Sequence, residues 1–135
     1  MPVTVLKEVE GFILNRLQGA LLAEAFRLVS EGYVTPADLD LTVSEGLGLR
    51  WSFLGPFATI EMNAPGGIED YCARYTGFYK RLAAEPAPPA VYETEAVGAI
   101  MRAWNIHEDL PAKMRWRDRR LAALRAHKAS AEKEG

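Results

Sequence analysis

In the stretch "EGFILNRLQGALLAEAFRLVSEG", residues 10–32, an asparagine and a glutamine interrupt an otherwise apolar helical arc. At about 100° per residue, Leu14, Leu17, Leu21, Ala25, Leu28 and Val29 share one broad face, widened by Phe12, Leu22 and Phe26. Arg16, Glu24, Arg27 and Glu31 fall opposite, as a solvated face does. Asn15 and Gln18 lie inside the apolar arc, and Asn15 shares a stripe with Gly19, Leu22 and Phe26. Glycine within a helix costs about 1 kcal/mol relative to alanine, and it usually marks the close approach of another group. Asn15 and Gly19 therefore make a polar notch. A buried amide left without hydrogen bonds costs about 1–3 kcal/mol. Asn15 is expected either to bond a loop carbonyl in the core or to face a ligand or a second domain, and Gln18 is expected to line the same notch.

The second candidate is Arg50. In "SEGLGLRWSFLGP" it stands between glycines and next to Trp51, in a segment too apolar for a free surface loop. A planar guanidinium held this way clamps a carboxylate or phosphate through two parallel hydrogen bonds. A structural salt bridge to a nearby acid is the other reading. His107 and His127 are twenty residues apart, with no carboxylate partner on a shared face, and both are expected at the surface. No glycine-rich phosphate loop follows a strand, and the Walker, H-E-x-x-H and G-x-S-x-G patterns are missing. Cys72 is the only cysteine, which excludes an internal disulfide and a thiolate metal cluster. The chain is expected to hold no complete catalytic group, no cofactor site and no metal.

The elements that must position these residues are helical. Residues 3–8 are β-branched and extended in character, a linker or an edge strand. The first helix runs to about Ser30 and stops at Gly32. Thr35 as N-cap, Pro36 in the first position and Asp38 in the first turn start a second helix, which Gly46 is expected to end. "LGLRWSFLGP" then reads as an irregular loop. Pro56 opens a short third helix, "PGG" at 65–67 breaks the chain, and a fourth helix covers 68–84. The prolines of "EPAPPA" make a surface loop. A fifth helix spans 93–104, and Asp109 caps a sixth, in which Leu110, Met114, Leu121 and Leu124 form a stripe that leaves Trp116 aside. An aromatic off the core face is a snorkelling residue or an interface anchor. The expected class is all-α, a compact bundle of five to seven helices, with a linker over 1–10, the helical domain over 11–130 and a flexible tail over 131–135.

With 135 residues, 49% hydrophobic and 25% charged, the chain has the composition of an ordinary soluble domain with a single core. No apolar run approaches about 18 residues, and residues 1–11 lack the charged and apolar regions of a signal peptide. A cytoplasmic protein without membrane contact is expected. The formal net charge of −2 divides unevenly: residues 111–135 carry +5 and residues 1–110 carry −7. A basic solvated helix that pairs with acidic surface explains this. A nucleic-acid-binding arm is the alternative, but no stacking platform or nucleic-acid motif accompanies the charge, so no nucleic-acid partner is expected.

Taken together, "GFILNR", "TPADLDLTVSEGLGLRWSFLGPFATIEMNAPGG", "DYCARY" and "RWRDRRLAALRAHK" resemble the C-terminal domain of the L-3-hydroxyacyl-CoA dehydrogenase family, in particular its lambda-crystallin (L-gulonate 3-dehydrogenase) branch, over about residues 3–128. The resemblance implies a fold like the 6-phosphogluconate dehydrogenase C-terminal domain. It implies NAD-dependent oxidation of a secondary alcohol to a ketone, with NAD and a catalytic His–Glu pair carried by an N-terminal Rossmann domain. It gives the helical domain part of the substrate pocket and the homodimer interface. It matches Asn15 to the asparagine that faces substrate near the catalytic histidine, and Arg50 to a loop arginine suited to a carboxylate. Gln18, Gly19 and Trp51 are expected to line the pocket. The substrate class that the resemblance leaves open is a 3-hydroxyacyl-CoA, a gulonate-like acid or a carnitine-like acid. The Rossmann half does not appear in these residues, so an excised domain or a split-gene half, inactive alone, is expected, with a Rossmann domain as partner in cis or in trans. The alternative is a free-standing helical interaction module without redox work.

Overall fold

The computed structural model of this chain describes residues 3–104 and 109–134. Among these residues every regular element is helical and none is a strand. α1 spans Phe12–Ser30, α2 Pro36–Thr42, α3 Leu49–Trp51, α4 Pro56–Met62, α5 Gly67–Ala84, α6 Thr94–Trp104 and α7 Leu110–Glu134. A π-helical turn, Val43–Gly48, joins α2 to α3, and a 3₁₀ turn, Pro89–Tyr92, precedes α6. The all-α class follows from the periodicities above. The chain divides into two units, residues 1–104 and 105–135.

The first unit is centred on the second half of α1. Residues 23–29 are half-buried against α6, α2 and the 3₁₀ turn, where Phe26 and Tyr92 place their ring centroids 5.3 Å apart. Arg27 departs from the expected solvated face, with its side chain 18% exposed: its guanidinium donates to the Glu24 carboxylate at 2.9 Å and lies 3.7 Å from that of Glu31. Burial elsewhere is sparse. Among the described residues only Pro36, Ala64 and Val91 are buried.

Two boundaries deserve physical comment. The start of α2 is as the residues dictate: the Thr35 hydroxyl accepts from the Asp38 backbone N–H at 3.1 Å, and Pro36 takes the first position. Its end is not. Gly46 does not terminate the helix; the backbone continues through the π turn into α3, so Leu49–Trp51 are helical rather than loop. Gly48 makes this possible. A Cβ there would sit 3.1 Å from the Val43 carbonyl oxygen, across the widened turn. The chain enters α1 through Gly11 (φ 78°) and Phe12 (φ 51°), two left-handed residues in succession. Residues 3–8 form no strand and are exposed, which leaves the linker reading.

The second unit consists of α7. Asp109 caps it as expected, with its carboxylate accepting from the Ala112 N–H at 3.3 Å. Leu110, Met114, Trp116, Leu121 and Leu124 are exposed, and the Arg120 guanidinium lies 5.6 Å from the Trp116 ring centroid. His127 is exposed, whereas His107 lies outside the described residues.

Candidate functional site

Asn15, Gln18 and Gly19 occupy the exposed first half of α1. Residues 11–22 are exposed, the apolar ones included: Leu14 is 74% and Leu17 62% exposed. The Asn15 amide has no hydrogen-bond partner among the described residues, so none of their carbonyls satisfies it. A Cβ at Gly19 would meet nothing within 4 Å. Among the described residues nothing fills the notch. Helical periodicity cannot separate a face that packs in cis from one that faces outward, because both need the same pattern.

Arg50 sits two residues beyond the π turn. Its Nε donates at 3.3 Å to the carbonyl of Gly46, the glycine expected to stop the helix. Among the described residues Arg50 has no acidic partner, which sets the structural salt bridge aside. The guanidinium is thus tethered by its stem side and keeps its two terminal nitrogens as donors.

Arg50 lines a cleft of about 210 Å³ formed by α3, α4 and α5, together with Trp51, Thr59, Asn63, Tyr71 and Tyr79, among others. The α4–α5 corner that shapes it is fixed by carboxylates. Glu61 reaches back from α4 to accept from the Ile68 N–H at 2.7 Å, one of the orphan donors that open α5. Gly67, at φ 68°, leaves room for it, since a Cβ there would lie 2.7 Å from a Glu61 carboxylate oxygen. Asp70 accepts from the Gly66 N–H at 3.2 Å and from Arg74 at 2.8 and 3.0 Å. The Arg74 guanidinium, and then the Gly66 N–H, hold the Asp70 carboxyl below the usual carboxylate value.

One turn into α5, the spacing Tyr71, Tyr75, Tyr79 puts three phenols on one face. The Tyr71 and Tyr75 ring centroids are 4.6 Å apart, and the Tyr71 and Tyr79 hydroxyl oxygens are 2.8 Å apart. That hydrogen bond is the main cause that raises the Tyr71 pKa above the ordinary phenol value. Thr59, Asn63, Tyr71 and Tyr79 escaped the sequence reading. The i, i+4, i+8 tyrosine spacing was the available signal, but which face of α5 meets α3 and α4 depends on the corner at "PGG".

The structure therefore groups Arg50 with Trp51 and leaves Asn15, Gln18 and Gly19 apart. α1 packs on α2, α6 and the 3₁₀ turn, and among the described residues it touches none of α3, α4 and α5. A second, largely apolar groove of about 420 Å³ runs between α1, α2 and the π turn, lined by Leu21, Leu28, Tyr33, Leu39 and Leu47 among others.

Comparison with known proteins places these features. The profile of the 3-hydroxyacyl-CoA dehydrogenase C-terminal domain matches residues 11–103. A lambda-crystallin homolog of Rattus norvegicus is 44% identical over 128 residues, covering 91% of this chain and 40% of that protein. A 3-hydroxyacyl-CoA dehydrogenase of Gibberella moniliformis is 36% identical over 123 residues, with 91% and 32% covered. An L-carnitine dehydrogenase of Streptomyces griseus is 37% identical over 101 residues, with 71% and 30% covered. The chain thus spans two-fifths or less of the length of these relatives.

Proposed function

The chain belongs to the 3-hydroxyacyl-CoA dehydrogenase family, as its C-terminal domain, and from that premise we propose that it is the substrate-binding and dimerisation half of an NAD-dependent dehydrogenase that oxidises the secondary alcohol of a 3-hydroxy acid or 3-hydroxyacyl thioester to a ketone. The observation that carries this reading is the open first half of α1. Asn15 and the Gly19 notch sit there among exposed apolar side chains, without a partner among the described residues. A second domain that closes over this face removes apolar surface from water and brings substrate to the Asn15 amide. The amide then orients a substrate oxygen, and Arg50 holds a charged end further from the reacting carbon. Gln18 and Trp51 line the approaches.

The described residues do not fit NAD. The dinucleotide fold needs a strand, a glycine loop and a helix N-terminus in sequence, and every regular element described here is helical. In the proposed reading a Rossmann domain, in cis or in trans, holds NAD and the proton-transferring residues, and this chain alone is inactive. Relatives named for a 3-hydroxyacyl-CoA and for L-carnitine allow both substrate classes on this scaffold, and the unpaired Arg50 guanidinium favours a small carboxylate. The cytoplasm is the proposed location, which suits a single exposed cysteine, Cys72.

The test is reconstitution. This chain is mixed with a Rossmann domain from a lambda-crystallin relative, and NADH formation is followed over a panel of 3-hydroxy acids. Turnover in the mixture, and none with either half alone, is expected. If the mixture stays silent across the panel, the interaction-module reading takes over.

A further inference from the structure

The cleft around Arg50 holds a pair of phenols for which the reading above has no use. Each tyrosine hydroxyl carries one proton. At 2.8 Å, one of the two donates to the other, so the pair consumes one proton and retains one. Among the described residues neither hydroxyl has another hydrogen-bond partner. Among the described residues no Asp or Glu lines the cleft, and Arg50 supplies its only formal charge. Its volume, about 210 Å³, is below the roughly 300–1,000 Å³ of pockets for drug-sized ligands, so this cleft suits a ligand of a few heavy atoms and not a nucleotide.

We infer that Tyr71 and Tyr79 act with Arg50 as a carboxylate clamp: one carboxylate oxygen accepts from the guanidinium and the other from the phenol proton that the pair leaves free. This rests on the proposal that Arg50 binds the substrate's acid end, and it adds the tyrosines as residues that select a free carboxylate over a neutral or esterified end. The arrangement is suited to donation. A phenol keeps its proton at neutral pH and cannot repel an anion, and the mutual hydrogen bond moves the Tyr71 pKa further in that direction. The Arg50 tether to the Gly46 carbonyl fixes the guanidinium before the ligand arrives, which lowers the ordering cost of binding. Trp51 supplies an apolar wall, and Asn63 offers an amide to a hydroxyl on the same ligand.

The experiment titrates the 135-residue chain with sodium 3-hydroxybutyrate and with its neutral amide, 3-hydroxybutyramide, and follows backbone amides and the Arg50 Nε–H by NMR. Saturable binding of the carboxylate, with a shift at the Arg50 Nε–H, is expected. The double variant Tyr71→Phe/Tyr79→Phe keeps both rings and should weaken the carboxylate about tenfold or more, the scale of one charge-assisted hydrogen bond. It should leave the amide unchanged. Each single variant keeps one donor and should cost under about threefold. The inference is overturned if the double variant binds the carboxylate as the parent does, or if the parent shows no saturable binding at tens of millimolar. Arg50→Lys separates the two layers. If it weakens binding while the double tyrosine variant does not, Arg50 binds the acid end without the phenols. If neither changes binding, the acid-end role of Arg50 falls as well.

Discussion

At the scale of single residues, Gly19 separates structure from function. A Cβ there meets nothing, and alanine is about 1 kcal/mol better than glycine inside a helix. Gly19→Ala should therefore raise the stability of the isolated chain by about 1 kcal/mol, read from its denaturation midpoint. If the notch admits a substrate or a second domain, the same methyl should lower kcat/KM in the reconstituted enzyme. A variant that is both more stable and fully active would remove the reason for the notch. Arg50 is argued through its geometry. Arg50→Lys keeps the charge and loses the planar fork, so it should raise KM for carboxylate substrates more than it lowers kcat, by about 1–3 kcal/mol in kcat/KM. An unchanged KM across carboxylate substrates would return Arg50 to a structural role. Asp70 is a matter of pH. Arg74, and then the Gly66 N–H, lower its pKa below 3.8 in the folded chain. The stability it contributes is thus fully present above 3.8 and is lost as pH falls through the lower folded value. NMR titration of the Asp70 carboxyl should give a midpoint under 3.8, moving up in Arg74→Gln.

At the scale of elements, the helical stretch from Pro36 to Trp51 turns on two glycines with opposite surroundings. Gly46 has open space where a Cβ would go, whereas at Gly48 the Cβ would press on the Val43 carbonyl at 3.1 Å. Gly46→Ala should stabilise the chain by up to about 1 kcal/mol. Gly48→Ala should lose that gain to strain in the π turn, with no net stabilisation, and should shift the Arg50 Nε–H resonance as its tether to Gly46 is disturbed. Thermal melts of the two variants make the comparison. Equal stabilisation by both would mean that the π turn does not persist. A π turn also fits the site: such turns cluster where a helix must re-aim a functional side chain, and here Arg50 follows within two residues.

At the scale of the whole molecule, the sparse burial calls for partners. Phe12, Leu14, Leu17, Phe57, Leu110 and Leu121 are all more than half exposed. Large apolar side chains left in water on α1, α4 and α7 mark candidate interaction surfaces on each unit. A homodimer is the expected species, and sedimentation equilibrium at micromolar concentration should give twice the 15.0 kDa chain mass. A clean monomer that stays soluble would count against dimerisation. Addition of the Rossmann half should then protect α1 amides in residues 12–22 from hydrogen exchange, because that half of the helix is the open one.

Much of the fold was legible in local chemistry. Thr35, Pro36, Asp109 and the glycine and proline breaks act within a few residues, so their helix starts and stops needed no tertiary information. The polar notch at Asn15 and Gly19 was legible as a pattern, and so was the tyrosine spacing on α5. What faces those patterns was not. Whether the α1 face is packed or open, and whether Gly46 stops a helix or lends its carbonyl to Arg50, depend on contacts between residues distant in sequence or on a widened turn. The grouping of Arg50 with Tyr71 and Tyr79 rests on the corner where Glu61 reaches past Gly67 to the start of α5. Sequence alone determined the all-α class, most of the longer helices and the family, because these are written in short-range patterns. Only the tertiary structure decided which polar groups share a cleft, because that is set by the angle between α4 and α5, and no local spacing encodes it.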